Sequence, residues 1–390
     1  MKNLHIILNS VFDPTPIFEA SASENEYVCA VWYKDEPLSC LNTKVVTPME
    51  HEDVKILIRQ GNYDNIFFHP LPIEWYDFIE VVPCGKKVIW CLWGYELYNN
   101  PYLTKYIRNL MPIYLPLTTP WIEKPVKGLK KLYKSLMQIK KKIDIYLNRP
   151  RFYRIISRID YIAPIYKNEM KILNGIKGFR AKYFPFQYTR WSINDEFGWK
   201  AKESDDSYIL VGNSGYPLNN HLQILSLMKD RRLTNYTLYL PIAYGNDNSR
   251  YIEKIKTTLK ECHFKYILQE SMMPYDEYSK IMSKCSIVII GSIRQHASDT
   301  IYMNLLQGAK VFLYERSVAY KFLKSEGIIV YSIERDLTID SIKNNLSIKD
   351  RTTNREKVLN LVSKERTIER LNAALMELKC LINQNNYDSQ

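Results

Sequence analysis

No apolar run in this chain approaches about 18 residues, so no stretch reads as a helix that spans a membrane. Its seven cysteines (29, 40, 84, 91, 262, 285 and 380) form no C-x-x-C and show no regular spacing. Several lie inside apolar runs, which favours reduced, buried thiols in a reducing cytosol and disfavours cysteine-bound metal. No D-x-D occurs, and no cluster has the ligand spacing of a zinc or calcium site, so neither a metal nor a cofactor is expected. Nucleophile elbow, kinase signature, internal repeat and low-complexity tract are missing as well. The opening residues, Met1-Lys-Asn-Leu-His-Ile-Ile-Leu8, hold only a short apolar run. They read as a first buried strand and not as a signal peptide.

What is present describes a globular protein of two domains: 390 residues, 46% hydrophobic and 25% charged. The net charge is +12, which favours an anionic partner. The excess is local, because Lys124 to Lys142 contains eight lysines and no acid.

Strand-length apolar runs in the first half are Leu4–Leu8, Val28–Trp32, Ile66–His69, Val88–Leu92 and Ile159–Ala163, with helical spacing from Glu50 to Arg59. In the second half they are Ser207–Gly212, Thr237–Ile242, Lys265–Leu268, Ser286–Ile290 and Lys310–Leu313. Helical patterns separate these: His221–Lys229, Tyr251–Glu261, Tyr275–Lys284 and Thr300–Gln307, the last capped by Ser298 and ended by Gly308. Such alternation predicts α/β architecture with parallel sheets. The expected division is a first Rossmann-like domain over 1–185 with a basic helical insert near 121–150, and a linker over 186–203. A second Rossmann-like domain follows over 204–352, then a helical segment over 353–390 that packs back on the first. A cleft between the two domains is the expected ligand site.

Ligands of such sheets bind beyond the carboxyl ends of the strands, so the loops there are read first. After Val211 come Gly212, Asn213, Ser214 and Gly215, then Asn219 and Asn220 before a helix that starts near His221. Small residues let backbone approach a diphosphate, and a helix N-terminus attracts it. An ordinary β–α turn is the competing reading. Tyr244 and Gly245 follow the next strand in a loop that reads equally as solvated. After Ile290 the chain offers Arg294, Gln295, Ser298 and Thr300, with Arg294 suited to pair with phosphate. Asp299 opposes an anion there. In the first half, Trp93, Gly94, Glu96 and Tyr98 follow a strand, and His69 follows another. Glu96 or His69 could serve as a base, and the aromatic rings could stack on a sugar. A packed aromatic core with one solvated acid, and a structural histidine, are the alternatives. Leu129, Leu132, Tyr133, Leu136, Ile143 and Leu147 recur at helical spacing. Among them lie Lys127, Lys130, Lys131, Lys134, Lys140, Lys141 and Lys142, a pattern that suits an anionic membrane surface. Nucleic acid, or solvent alone, is the competing partner.

Several of these motifs, in this order, resemble the enterobacterial Fuc4NAc transferase family, glycosyltransferase family 56. They are Phe67-Phe-His69, Trp90-Cys-Leu-Trp-Gly-Tyr-Glu-Leu-Tyr98, Val211-Gly-Asn-Ser-Gly215 with Asn219 and His221, Tyr244 with Tyr251-Ile252, and Arg294-Gln295 with Thr300. The resemblance runs from about Ile66 to Tyr331, with the basic insert outside it. It implies a GT-B fold, no metal, and a peripheral protein on the cytoplasmic face of the inner membrane. That family moves 4-acetamido-4,6-dideoxygalactose from a dTDP-sugar to a polyprenyl-diphosphate-linked oligosaccharide. By carry-over, Gly212, Asn213, Ser214, Asn219, Tyr244, Gly245, Tyr275, Arg294, Gln295 and Thr300 would hold a dTDP- or UDP-sugar. Trp93, Gly94 and Tyr98 would face the acceptor, with His69 and Glu96 catalytic. The family carries Asp where this chain has Glu96, and Gly-rich sequence where it has His296-Ala-Ser298, so the donor sugar does not carry over. The expected activity is transfer of a sugar, such as an acetamido-deoxyhexose, to a lipid-linked glycan in capsule or O-antigen assembly. A pyruvyl-type transferase acting on glycans, and a basic nucleic-acid-binding protein, are the alternatives.

Overall fold

The computed structural model describes residues 1–8, 13–30, 44–122, 128–186, 208–245 and 247–387, in two compact units. The first unit comprises residues 1–105, 137–196 and 361–390. Its strands are β1 (Lys2–Ile7), β2 (Glu24–Ala30), β3 (Val46–Met49), β4 (Asn65–His69), β5 (Lys87–Leu92), β6 (Tyr161–Pro164) and β7 (Lys182–Tyr183). All pair in parallel, in the order β3-β2-β1-β4-β5-β6-β7. A parallel sheet covered on both faces needs continuous apolar strands, which is why β4 (Asn-Ile-Phe-Phe-His) is buried at every position.

The second unit comprises residues 106–136 and 197–360. Its strands are β8 (Tyr208–Val211), β9 (Thr237–Pro241), β10 (Lys265–Gln269), β11 (Cys285–Ile290), β12 (Lys310–Leu313) and β13 (Tyr331–Ser332). They too are parallel, in the order β10-β9-β8-β11-β12-β13. Both orders reverse direction after the first strand, as in doubly wound dinucleotide-binding sheets. The switch points are therefore β1/β4 in one unit and β8/β11 in the other.

Helices cover these sheets by ordinary amphipathic logic. In Ser249–Glu261 the buried positions are Tyr251, Ile252, Ile255 and Leu259, one face of a helix. Each such burial stabilises by about 1.5–3 kcal/mol. Asn248 caps this helix, accepting the Tyr251 N–H at 3.2 Å.

Four expectations need correction. Residues 106–136 belong with the second unit, because Leu115 is part of its core and Met111 and Trp121 pack against that core. Ser298 does not cap its helix; it is the first helical residue, and Ala297 stands before it with φ +60° and no side-chain cap. The basic segment is only the start of a longer helix, Leu129–Ser157, which continues through Pro150 until Phe152, Ile155 and Ile156 are buried. The C-terminal segment is two helices, Ile348–Val362 and Lys364–Tyr387. The second of these buries Leu371, Ala374, Leu375 and Leu378 in the core of the first unit, as expected. Most of the expected linker lies outside the described residues, as do Val31 and Trp32 of one expected strand.

Candidate functional site

In the second unit, the switch point gathers the two loops that follow β8 and β11. Gly212 adopts φ +74°, and a Cβ there would lie 2.5 Å from His221 Nε2 and 3.1 Å from Asn219 Cγ. Gly291 is pressed harder, since its Cβ would lie 2.2 Å from the backbone oxygen of Asn219. At Gly291 main chain meets main chain, and at Gly212 a positive φ and two close side chains favour glycine.

Asn220 holds the arrangement together. It adopts the left-handed conformation just before the helix His221–Asp230, which asparagine tolerates better than most residues. Its Nδ2 donates to the Gly291 carbonyl at 2.9 Å and the Leu218 carbonyl at 3.1 Å. Its Oδ1 accepts the Leu115 N–H at 2.8 Å. Asn219 Nδ2 donates to the carbonyl and the hydroxyl of Ser214, both at 3.0 Å. Asn213 Nδ2 donates to the Tyr244 hydroxyl at 2.9 Å, and the Gly215 N–H donates to the Tyr244 carbonyl at 2.8 Å. Gly245 lies against the Tyr216 ring, which also meets Tyr244 and His296 edge-on.

Around this cradle several buried polar atoms find no hydrogen-bond partner in the protein: Asn219 Oδ1, His221 Nε2, Ser292 Oγ and His296 Nε2. Buried groups of this kind are usually satisfied, so their gathering at one switch point makes it the candidate ligand site. Burial pulls the His221 imidazole down to about 3, and its backbone N–H donates to the Tyr251 hydroxyl at 2.9 Å. His296 is also pulled down to about 3, first by burial and then by the charge of Arg294. Arg294 is itself only 7% exposed, and Gln295 and Thr300 are buried beside it in sequence. The helix Ser298–Leu306 begins here without a side-chain cap, so its first-turn amides and positive dipole end add to the cationic character. Asp299, in that turn, opposes it. Of the expected donor residues, Tyr275 starts the helix Tyr275–Met282, and its side chain is outside the described set.

The first unit presents a different picture at the ends of its strands. His69, the last residue of β4, is fully buried, and its Nε2 faces His5 Nδ1 at 3.1 Å. His5 Nε2 in turn faces Asn25 Oδ1 at 3.1 Å. Burial, then the neighbouring His5, holds His69 well below the usual histidine range. Glu96 is 4% exposed. Its Oε1 accepts the Trp93 N–H at 2.8 Å and the Trp90 indole N–H at 3.1 Å. This ties down the turn at Gly94, which has φ +102°. Tyr98 is core, donating its hydroxyl to Glu169 at 2.8 Å, while Trp93 is partly buried against the core. The residues expected to face an acceptor are thus, in large part, the internal bracing of the strand end.

Ser292 and Tyr216 were not singled out from sequence, and Asn220 was read only as one of two asparagines before a helix, not as the residue that ties the two loops together. An Asn-Asn pair before a helix was the one available signal, since asparagine accepts left-handed backbone.

Of the expected membrane lysines, Lys140, Lys141 and Lys142 are exposed and Lys134 is half-buried. Lys127 lies outside the described residues, and the side chains of Lys130 and Lys131 are not described. Among the described residues no helix is long and apolar enough to cross a membrane.

The two doubly wound parallel sheets make a GT-B fold, and the family match over residues 174–356 makes the chain a glycosyltransferase. Residues 174–356 match the model of the family described as 4-alpha-L-fucosyltransferase, glycosyl transferase group 56, the same family that the motifs resemble. The match takes in both loops of the cradle. Solved structures of similar fold include a glycosyltransferase from Rickettsia africae, 10% identical with a TM-score of 0.57, covering 97% of this chain and 98% of that one. An α,α-trehalose-phosphate synthase (UDP-forming) from Burkholderia vietnamiensis is 7% identical with a TM-score of 0.58, covering 97% and 100%. Anabaena HepE, determined in complex with UDP and glucose, is 9% identical with a TM-score of 0.53, covering 96% and 99%.

Proposed function

We propose that this glycosyltransferase takes a sugar from a dTDP- or UDP-linked donor held by the second unit. It passes the sugar to a polyprenyl-diphosphate-linked oligosaccharide at the cytoplasmic face of the membrane, in surface-polysaccharide assembly. The observation that carries the donor half is the cradle at β8/β11. There, close backbone at Gly212 and Gly291, an uncapped helix start at Ser298 and the buried Arg294 converge on one switch point. Such a group of donors suits the two phosphates of a nucleoside diphosphate.

In transfer, the glycosidic C–O bond to the diphosphate breaks and negative charge grows on the leaving oxygen. Arg294 and the first-turn amides of Ser298–Leu306 stabilise that charge, the task a metal ion performs in other transferases. Asn213, Ser214 and Asn219 shape the Gly212 turn beside Tyr244 and Gly245, while Gln295 and Thr300 are buried after β11 with Arg294. The acceptor half of the reading rests on the family resemblance around Trp93, Gly94 and Tyr98. His69 and Glu96 are both held by neighbours inside the first unit, so we give Glu96 a bracing role and neither residue a proton.

The test is a thermal-shift panel of dTDP, UDP, GDP and CDP, with and without chelator, followed by titration of Arg294→Ala. One nucleotide should raise the melting temperature whether or not chelator is present. Arg294→Ala should then weaken its binding by about 30- to 100-fold, or about 2–3 kcal/mol. No shift with any nucleotide would sink the reading in favour of a pyruvyl-type transferase.

A further inference from the structure

The helix Leu129–Ser157 turns its apolar face outward. Leu136, Ile139, Ile143, Tyr146 and Leu147 recur at the spacing of one helical face and stand 53–73% exposed. The half-buried positions Lys134, Ile145 and Asn148 fall on the opposite side, interleaved with the exposed Gln138 and Lys141, so the apolar stripe lies on the more exposed face of the helix. No other helix carries more than two exposed large apolar residues among those described. A stripe of this kind in a soluble setting marks a surface that something covers.

Charge identifies the occupant. Between residues 129 and 157 the chain has nine lysines and arginines against one acid, Asp144. Arg151 and Arg154 are paired with Glu80, whereas Lys140, Lys142 and Arg149 are exposed beside the stripe and Lys141 is exposed on the far side. A strongly cationic face would repel its own copy but suits a sheet of anionic headgroups over hydrocarbon.

We propose that this helix lies flat in an anionic membrane with Leu136, Ile139, Ile143, Tyr146 and Leu147 sunk below the headgroups. This deepens the reading of a lipid-linked acceptor, on which it rests. The lysines bring the protein to the surface, and salt screens them; the apolar stripe holds it there, and salt does not.

The experiment is flotation of the full chain with vesicles of phosphatidylcholine and phosphatidylglycerol, and with phosphatidylcholine alone, at low and high salt. Wild type should bind the anionic vesicles at both salts. The double variant Ile143→Ser with Leu147→Ser alters exposed positions only, and should lower partitioning by about tenfold or more at both salts. The triple variant Lys140→Gln, Lys141→Gln and Lys142→Gln should weaken binding at low salt and leave the high-salt remainder. Wild-type binding that disappears at high salt, or a serine variant that partitions like wild type, overturns the proposal. So does light scattering that finds a wild-type dimer and a monomeric serine variant with unchanged partitioning. The nucleotide shift keeps the two readings apart. A chain that binds nucleotide but no vesicle defeats this inference alone, and one that binds vesicles but no nucleotide defeats the donor reading alone.

Discussion

Two parallel sheets with the same central order end very differently at their switch points. Along β1 and β4 rings fill the space: His5 lies 4.2 Å from Phe18 and 4.8 Å from Phe67, centroid to centroid, and His69, the last residue of β4, is wedged against His5. Where β8 and β11 finish, glycine, serine and asparagine leave room for backbone, and buried polar atoms lack protein partners. Among the described residues, one switch point is flanked by a plug of rings and the other is a cradle. Topology fixes where a ligand could sit in such a sheet, but side-chain volume decides whether one does.

Acid should break both ends, and by the most. His5 and His69 in the first unit, and His221 and His296 in the second, are all held neutral by burial. An unfolded histidine takes its proton near pH 6.5, whereas folded His5 and His221 wait until about 3. Between those limits the unfolded chain binds more protons. Stability is therefore full above about pH 6.5 and is lost as pH falls towards 3. At pH 5 each of these two should cost about 2 kcal/mol relative to neutral pH. Urea unfolding against pH checks this. His5→Asn and His221→Gln should each flatten the acid limb by that amount, one for each unit, and an unchanged slope would refute the neutral assignment.

Next in size is the attempt to turn the cradle into a plug. Gly291→Ala drives a methyl group into the Asn219 carbonyl, which is backbone and cannot rotate away. The expected loss is about 1–3 kcal/mol of stability together with nucleotide binding, read by urea unfolding and thermal shift. A variant that binds nucleotide normally would show that the two loops need not approach so closely.

The sequence made much of this readable, for identifiable reasons. The central strands β4, β5, β8, β11 and β12 are buried on both faces, so each carries a run of three or more consecutive apolar residues. Edge strands carry no such mark. The strand β3 contains Pro48, tolerated because it sits at the margin of the sheet, and β7 and β13 are two residues each. Side-chain roles that depend on distant partners were hidden as well. Asn220 meets Leu115, 105 positions away, and His69 meets His5, 64 positions away. The first contact explains why 106–136 belongs to the second unit. The other turns a residue at a strand end, legible as a candidate base, into part of the core.

The smallest expected effect sharpens that last point. Glu96→Gln keeps an oxygen that can accept the Trp93 and Trp90 N–H groups, so the Gly94 turn should survive. If Glu96 braces the turn, stability should fall by less than about 1.5 kcal/mol, since a charged acceptor is exchanged for a neutral one. The maximal transfer rate should then stay within a few-fold of wild type. A general base would reveal itself through a loss of about 100- to 10,000-fold in kcat with nucleotide affinity intact. Measuring kcat and nucleotide affinity on the same variant separates the two. The bracing role of Glu96, tied to the Trp93 and Trp90 N–H groups, predicts that neither will move far.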